Sequence, residues 1–209
     1  KNMIEAFRNG EDIHARTAKE VFNLDNLDDV TPAQRRKAKE VNFGIPYGVS
    51  AYGLASRLGI SNGEGKEMID QYFERFPGIK TYIDETIEFA KENGYVTTLL
   101  GRRRYIPDIN SRNWNVRGFA ERTAINMPIQ GTAADIIKLA MIDIHNYLEE
   151  NECLSRMLLQ VHDELVFEIS DEEAEAVPDK IQELMENAYE LDVPLEVEMG
   201  LADNWLDAH

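Results

Sequence analysis

The stretch RMLLQVHDELVFEI (residues 156–169) leaves little choice of local fold. RMLLQV and LVFEI are runs of strand-type residues, and only HDE separates them. A parallel pair needs a crossover of about a dozen residues, so these runs can pair only as an antiparallel hairpin with charges at its tip. Downstream, SDEEAEAVPDKIQELMENAYEL reads as an acidic helix, and PLEVEMGLA alternates like a final strand. Strand, strand, helix and strand on a helical backing predict an α+β layer.

The chain before this hairpin has helical periodicity. Asp12 opens a short helix to about Phe22, and Thr31-Pro32 is an N-cap followed by proline at the first helical position. Ser50 and Ser61 mark two further starts. GEGKEMIDQYFERF puts Met68, Ile69, Tyr72, Phe73 and Phe76 on one stripe, and IKTYIDETIEFAKENG ends at a C-cap, Gly94. YVTTLL and GRRRYIP predict a small hairpin. A helix over residues 114–126 is then expected to stop at Pro128, with a second helix over 129–151 burying Ile136, Leu139, Ala140, Ile144 and Leu148. The predicted organisation is a helical subdomain at 1–111 and an α+β subdomain at 112–209.

The 209 residues carry a net charge of −17, which at first argues against a nucleic-acid partner. The charge is unevenly placed. Residues 149–209 hold 19 acidic and two basic residues, which leaves 20 of each in residues 1–148. Between Tyr95 and Asn126 stand Arg102, Arg103, Arg104, Arg112, Arg117 and Arg122, against only Asp108 and Glu121. This is a basic strip on an acidic chain, either a polyanion contact or a solvated surface. A single cysteine, Cys153, excludes an internal disulfide and fits a reducing cytoplasm. No apolar run approaches the roughly 20 residues of a membrane span, and KNMIEAFRNGEDIH has no signal-peptide pattern. The absence of a starting Met predicts a fragment.

Three constellations could carry chemistry. Asp163 and Glu164 at the hairpin tip are adjacent carboxylates beside apolar strands. They suit a hard cation such as Mg²⁺, which takes few carboxylates and fills its sphere with water and phosphate oxygens. A polar β-turn is the plainer account of the same residues. In RRKAKEVNFGIPYG, Arg35, Lys39, Phe43 and Tyr47 recur every four residues, a stripe that drifts about 40° per step. The cations could hold phosphates and the aromatics could stack on a nucleoside. The alternative is a solvated basic face with two core aromatics. In NMPIQGTAAD, Asn126 and Gln130 flank Pro128, either as local caps or as donors to minor-groove acceptors, which test pair geometry without reading sequence.

RRKAKEVNFGIPYG, GRRRYIPDI, ERTAINMPIQGTAADIIKLAM and LLQVHDELV occur in that order. Together they resemble the family A DNA polymerases over nearly the whole chain, from IEAFRNGEDIH to NWLDA. The resemblance implies the fingers and part of the palm of a replication or repair polymerase in the bacterial cytoplasm, at the nucleoid. It implies that Asp163 is a metal-binding catalytic aspartate for Mg²⁺ and Glu164 its acidic neighbour. Arg35, Lys39 and His14 match residues that hold the incoming triphosphate, with Lys39 also counted in the catalytic set. Phe43 matches the position beside the sugar, in the version associated with rejecting dideoxynucleotides. Tyr47 matches the aromatic at the templating base. Arg122, Asn126, Gln130 and His162 match residues at the primer terminus and nascent minor groove, and Arg104 belongs to the expected DNA contacts.

The partners implied are primer-template DNA, dNTPs and the N-terminal part of the polymerase, with no membrane. The reaction implied is attack of a primer 3′ hydroxyl on the α-phosphate of a dNTP, with two metal ions at the attacking and leaving oxygens. The other metal-binding aspartate is expected shortly before Lys1, so the chain alone is expected to be inactive. A non-catalytic nucleic-acid-binding module and an acidic interaction domain are the competing classes. Pro46 departs from a regular helix, and a kink or an early helix end between Phe43 and Tyr47 is expected there.

Overall fold

The capping residues set the helix boundaries. Asp12 caps α2 (Ile13–Val21) by accepting from the amides of His14 and Ala15. Thr31 and Gln34 form a reciprocal capping box at the start of α3 (Pro32–Gly44). Ser50 caps α4 (Ala51–Leu58), and Ser61 with Glu64 boxes α5 (Asn62–Arg75). Pro77 opens α6 (Pro77–Asn93), and Gly94, at φ 76°, closes it in the left-handed conformation that glycine adopts without steric cost. A short helix, α1 (Asn2–Arg8), precedes these, and one 3₁₀ turn spans Leu27–Asp29. The computed structural model describes residues 2–22 and 24–208; Lys1 lies outside them.

The expected small hairpin is present. β1 (Tyr95–Thr97) and β2 (Arg103–Tyr105) pair antiparallel, with Val96 opposite Arg104. Two buried clusters support this half of the chain. Val41, Ile45, Leu54, Tyr72 and Phe76 join α3, α4 and α5. Ala90, Val96, Ile106, Ile109, Ala120, Ala124 and Met127 hold α6 and the hairpin to the next helix.

That helix, α7 (Trp114–Glu150), runs unbroken for 37 residues through Pro128, contrary to the expected interruption. Proline removes one donor, but packing outweighs that loss here. Ala124 and Met127 are buried in the cluster around Val96, and the Tyr82 hydroxyl donates to the Ile125 carbonyl at 2.7 Å. The chain divides into two compact units, 1–131 and 132–209, with the boundary inside α7 and beyond the 111/112 boundary expected from sequence character.

In the second unit, β3 (Arg156–Val161) and β4 (Glu164–Glu168) form the predicted hairpin, antiparallel, with Val161 opposite Glu164. Its core is Ala140, Ile144, Leu148, Val177 and Ile181, against which α8 (Val177–Glu186) packs. Two expectations fail here. The acidic helix does not extend over residues 171–176; it starts at Val177, because Pro178 lacks the amide an interior helical position requires. PLEVEMGLA is not a strand. The backbone of Val197 is taken by side chains of α8: Gln182 Nε2 donates to its carbonyl at 2.7 Å, and its amide donates to Glu186 at 3.4 Å. A last short helix, α9, spans Trp205–Ala208. Among the described residues no helix is long and apolar enough to cross a membrane.

Candidate functional site

On α3, Ala38 and Val41 face the core, which turns Arg35, Lys39 and Phe43 outward. Phe43 is 51% exposed, so it is not the core aromatic of the plainer sequence account. The N-terminal end of α2 lies beside this stripe. Arg35 Nε contacts Asp12 Oδ2 at 2.6 Å, and the His14 ring lies 5.8 Å from that of Phe43. Lys39 Nζ stands 6.0 Å from the Phe43 ring centroid, within cation–π range. His14, Arg35, Lys39 and Phe43 therefore form one face from two helices.

The electrostatics of that face favour an anion. Burial lowers the His14 pKa; the Arg35 charge adds to this, Asp12 opposes it and Lys39 lowers it further. These influences together favour the neutral ring of His14, beside two fixed cations. Asp12 is held on the ionised side. Burial alone would raise its pKa, but the Arg35 hydrogen bond, the Ala15 amide, the Arg35 charge and the His14 amide together lower it.

Helix α3 ends at Gly44, before Pro46, and residues 45–48 form a turn. The early end expected from the proline is therefore observed. Gly48 has φ 76°, and a Cβ there would stand 3.1 Å from Arg122 Cγ, so both its conformation and its close approach favour glycine. Beside this turn is a cleft of about 510 Å³ lined by residues including Phe43, Tyr47, Gly48, Arg57, Arg122 and Asn126. Arg122, Asn126 and Gln130 lie four apart on α7, with Arg122 and Gln130 exposed and Asn126 half-buried. Asn126 Oδ1 is buried and finds no hydrogen-bond partner among the described residues. The continuous helix removes the account of Asn126 and Gln130 as caps at a helix junction.

The basic strip resolves into different environments. Arg102 donates to the Gly131 carbonyl at 2.9 Å, and Arg103 lies 4.7 Å over the Tyr95 ring. Arg104 is exposed on β2.

In the second unit, His162 and Asp163 form the two-residue turn between β3 and β4, and both are exposed. His162 has φ 54°, which a non-glycine residue seldom adopts. Glu164 belongs to β4 and is half-buried, so the two adjacent carboxylates differ in environment. Asp163 offers one hard oxygen ligand suited to Mg²⁺. Among the described residues no group of three or more His, Cys, Asp or Glu side chains stands together as a metal site.

Two participants were not singled out by sequence reasoning. Asn42 donates toward His14 Nδ1 at 3.1 Å, and Arg57 lines the cleft. An Asn between Val41 and Phe43 near the end of the helical stretch was the available signal for the first; nothing local marks the second.

The fold is that of an α+β polymerase fingers/palm fragment. A solved structure, the POL domain of Pol1 from M. smegmatis in complex with DNA primer-template and dNTP, superposes with a TM-score of 0.93 at 48% identity, covering 99% of this chain and 36% of that one. Residues 1–207 match the family described as DNA polymerase family A. The chain belongs to that family. It is 54% identical over 208 residues to DNA polymerase I of Bacillus subtilis (strain 168), covering 100% of this chain. It is 56% identical over 207 residues to DNA polymerase I of Geobacillus stearothermophilus, covering 99% of this chain. It spans 24% of the length of each of these two relatives.

Proposed function

We propose that the chain supplies the fingers (1–111) and part of the palm (112–209) of a DNA polymerase that transfers a nucleotidyl group from a dNTP to a primer 3′ hydroxyl. The observation that carries this is the face of half-buried His14 and exposed Arg35, Lys39 and Phe43 beside a cleft containing Tyr47, Arg122 and Asn126. Arg35 and Lys39 hold the triphosphate and offset charge that gathers on the leaving pyrophosphate, and His14 adds an uncharged donor. Phe43 packs at the sugar and Tyr47 stands at the templating base. Arg122, Asn126, Gln130, His162 and Arg104 contact primer-template DNA, the side-chain donors among them reaching acceptors on the base edges. The work is done in the cytoplasm, at the nucleoid.

Asp163, with Glu164 as its neighbour, is the metal-binding residue and takes Mg²⁺. When bound, the metal supplies positive charge to the reacting phosphate oxygens. One exposed aspartate is a partial ligand set, so the second carboxylate comes from the N-terminal part of the polymerase. The 209 residues alone are therefore inactive. The same single carboxylate favours a second reading, a non-catalytic nucleic-acid-binding module.

Single-turnover incorporation and DNA affinity, measured on polymerase containing these residues, separate the two. Lys39→Ala and Asp163→Asn are each expected to slow incorporation by about 100-fold or more, while DNA affinity changes by less than about threefold. Unchanged incorporation in both variants would sink the catalytic reading. Primer extension by the isolated chain would sink the claim that it needs a second carboxylate.

A further inference from the structure

Asn42 sits in the last turn of α3 with its side chain turned toward α2, and its hydrogen bonds decide which way its amide faces. Its Oδ1 accepts from the hydroxyl of Thr17, which is fully buried, at 3.0 Å. Its Nδ2 lies 3.4 Å from the Ile13 carbonyl oxygen and 3.1 Å from His14 Nδ1. A carbonyl oxygen can only accept. The opposite orientation would set the amide oxygen against the Ile13 oxygen, so the nitrogen must face Ile13. That nitrogen is a donor only, so the ring nitrogen it meets must be an acceptor. His14 Nδ1 therefore carries no proton.

We propose that Asn42 is a positioning residue that fixes His14 as the neutral tautomer with its proton on Nε2, leaving Nε2–H as the ring's one donor. A protonated imidazole would oppose its Nδ1–H to the Asn42 amide N–H. The charged groups around the ring, Arg35 and Lys39 from α3 and Asp12 from the cap of α2, lower its pKa on balance together with burial. The donor acts on the anion that Arg35 and Lys39 attract. That the anion is a nucleoside triphosphate rests on the function proposed above; the tautomer does not.

The test is ¹⁵N NMR of protein labelled at histidine, with the His14 resonances assigned through His14→Gln. The wild-type spectrum at pH 7 should show a neutral ring with a pyridine-like Nδ1 and a protonated Nε2. In Asn42→Asp, where a carboxylate replaces the amide donor, the proton should move to Nδ1 and the titration midpoint of His14 should rise. A wild-type ring protonated on Nδ1, or charged at pH 7, overturns the proposal, and that result needs no variant to fold. Adding a deoxynucleoside triphosphate should shift the Nε2 resonance. His14→Gln, whose amide nitrogen can replace Nε2–H, should keep nucleotide affinity within about threefold, while His14→Ala should lose about tenfold. Equal losses in the two overturn the donor role. An Nε2–H ring that does not respond to nucleotide overturns the nucleotide reading of His14 and leaves the action of Asn42 on the ring standing.

Discussion

Asp12 grips Arg35 with one carboxylate oxygen and helix α2 with the other. Oδ2 meets Arg35 Nε at 2.6 Å, while Oδ1 accepts from the amides of His14 at 2.9 Å and Ala15 at 3.0 Å. One side chain thus ties the start of α2 to the cation stripe of α3. The ion pair is half exposed, so by itself it contributes at most about 1 kcal/mol. The cap contributes about as much. Asp12→Ala should lower unfolding stability by about 1–2 kcal/mol, and Asp12→Asn, which keeps a capping oxygen, by well under 1 kcal/mol. Urea denaturation of both variants checks the order; equal losses would show that the cap contributes nothing.

The same carboxylate sets a pH dependence. Its pKa is lower in the folded protein than in the unfolded chain. Its contribution is therefore complete above the unfolded value, about 3.9, and disappears as pH falls through the lower folded value. Glu173 behaves likewise. Its carboxylate takes the Ser155 hydroxyl and the amides of Leu154 and Ser155, and these outweigh burial to hold its pKa down. Glu173→Gln should flatten the fall in Tm on the acid side of pH 5, and an unchanged acid slope would contradict this.

Gly65 allows α5 to approach α4 closely. A Cβ at this position would stand 2.7 Å from the Ala51 carbonyl oxygen and 3.1 Å from Ala55 Cβ. The backbone oxygen cannot move aside without shifting the helix. Gly65→Ala should cost about 1–3 kcal/mol in spite of the better helix propensity of alanine. A neutral or stabilising result in chemical denaturation would refute the close approach.

His162 carries backbone strain where the chain turns between β3 and β4. At φ 54° it occupies a region that glycine or asparagine enters more easily. His162→Gly should be stabilising or neutral, with a gain of up to about 1 kcal/mol from relieved strain, while weakening DNA binding if the proposed contact is right. A loss of more than about 1 kcal/mol would mean that the turn does not hold strain.

The features legible in sequence are those decided within a few residues. Thr31, Ser50, Ser61 and Gly94 cap the helices they were expected to cap, because capping is a contact between near neighbours. The β3–β4 hairpin was fixed by the shortness of its loop. What failed depended on distant partners. Pro128 reads as a break until Tyr82 and the cluster around Val96 are seen holding the helix through it. Residues 194–202 alternate like a strand, but Val197 spends its backbone on side chains of α8. In the candidate site, the i, i+4 spacing gave the exposed stripe of α3. Asn42 was missed because its partners, Ile13, His14 and Thr17, lie on another helix.

The boundary between the two compact units falls within α7, not in a linker. Neither unit can be released by trimming a loop. A cut near Gly131 severs a helix and strips successive carbonyls of their donors. Exchange of one unit for that of a relative would need its junction inside an intact run of backbone hydrogen bonds, with both halves of the helix matched in phase. For a protein engineer, the two halves of this chain are a single cassette.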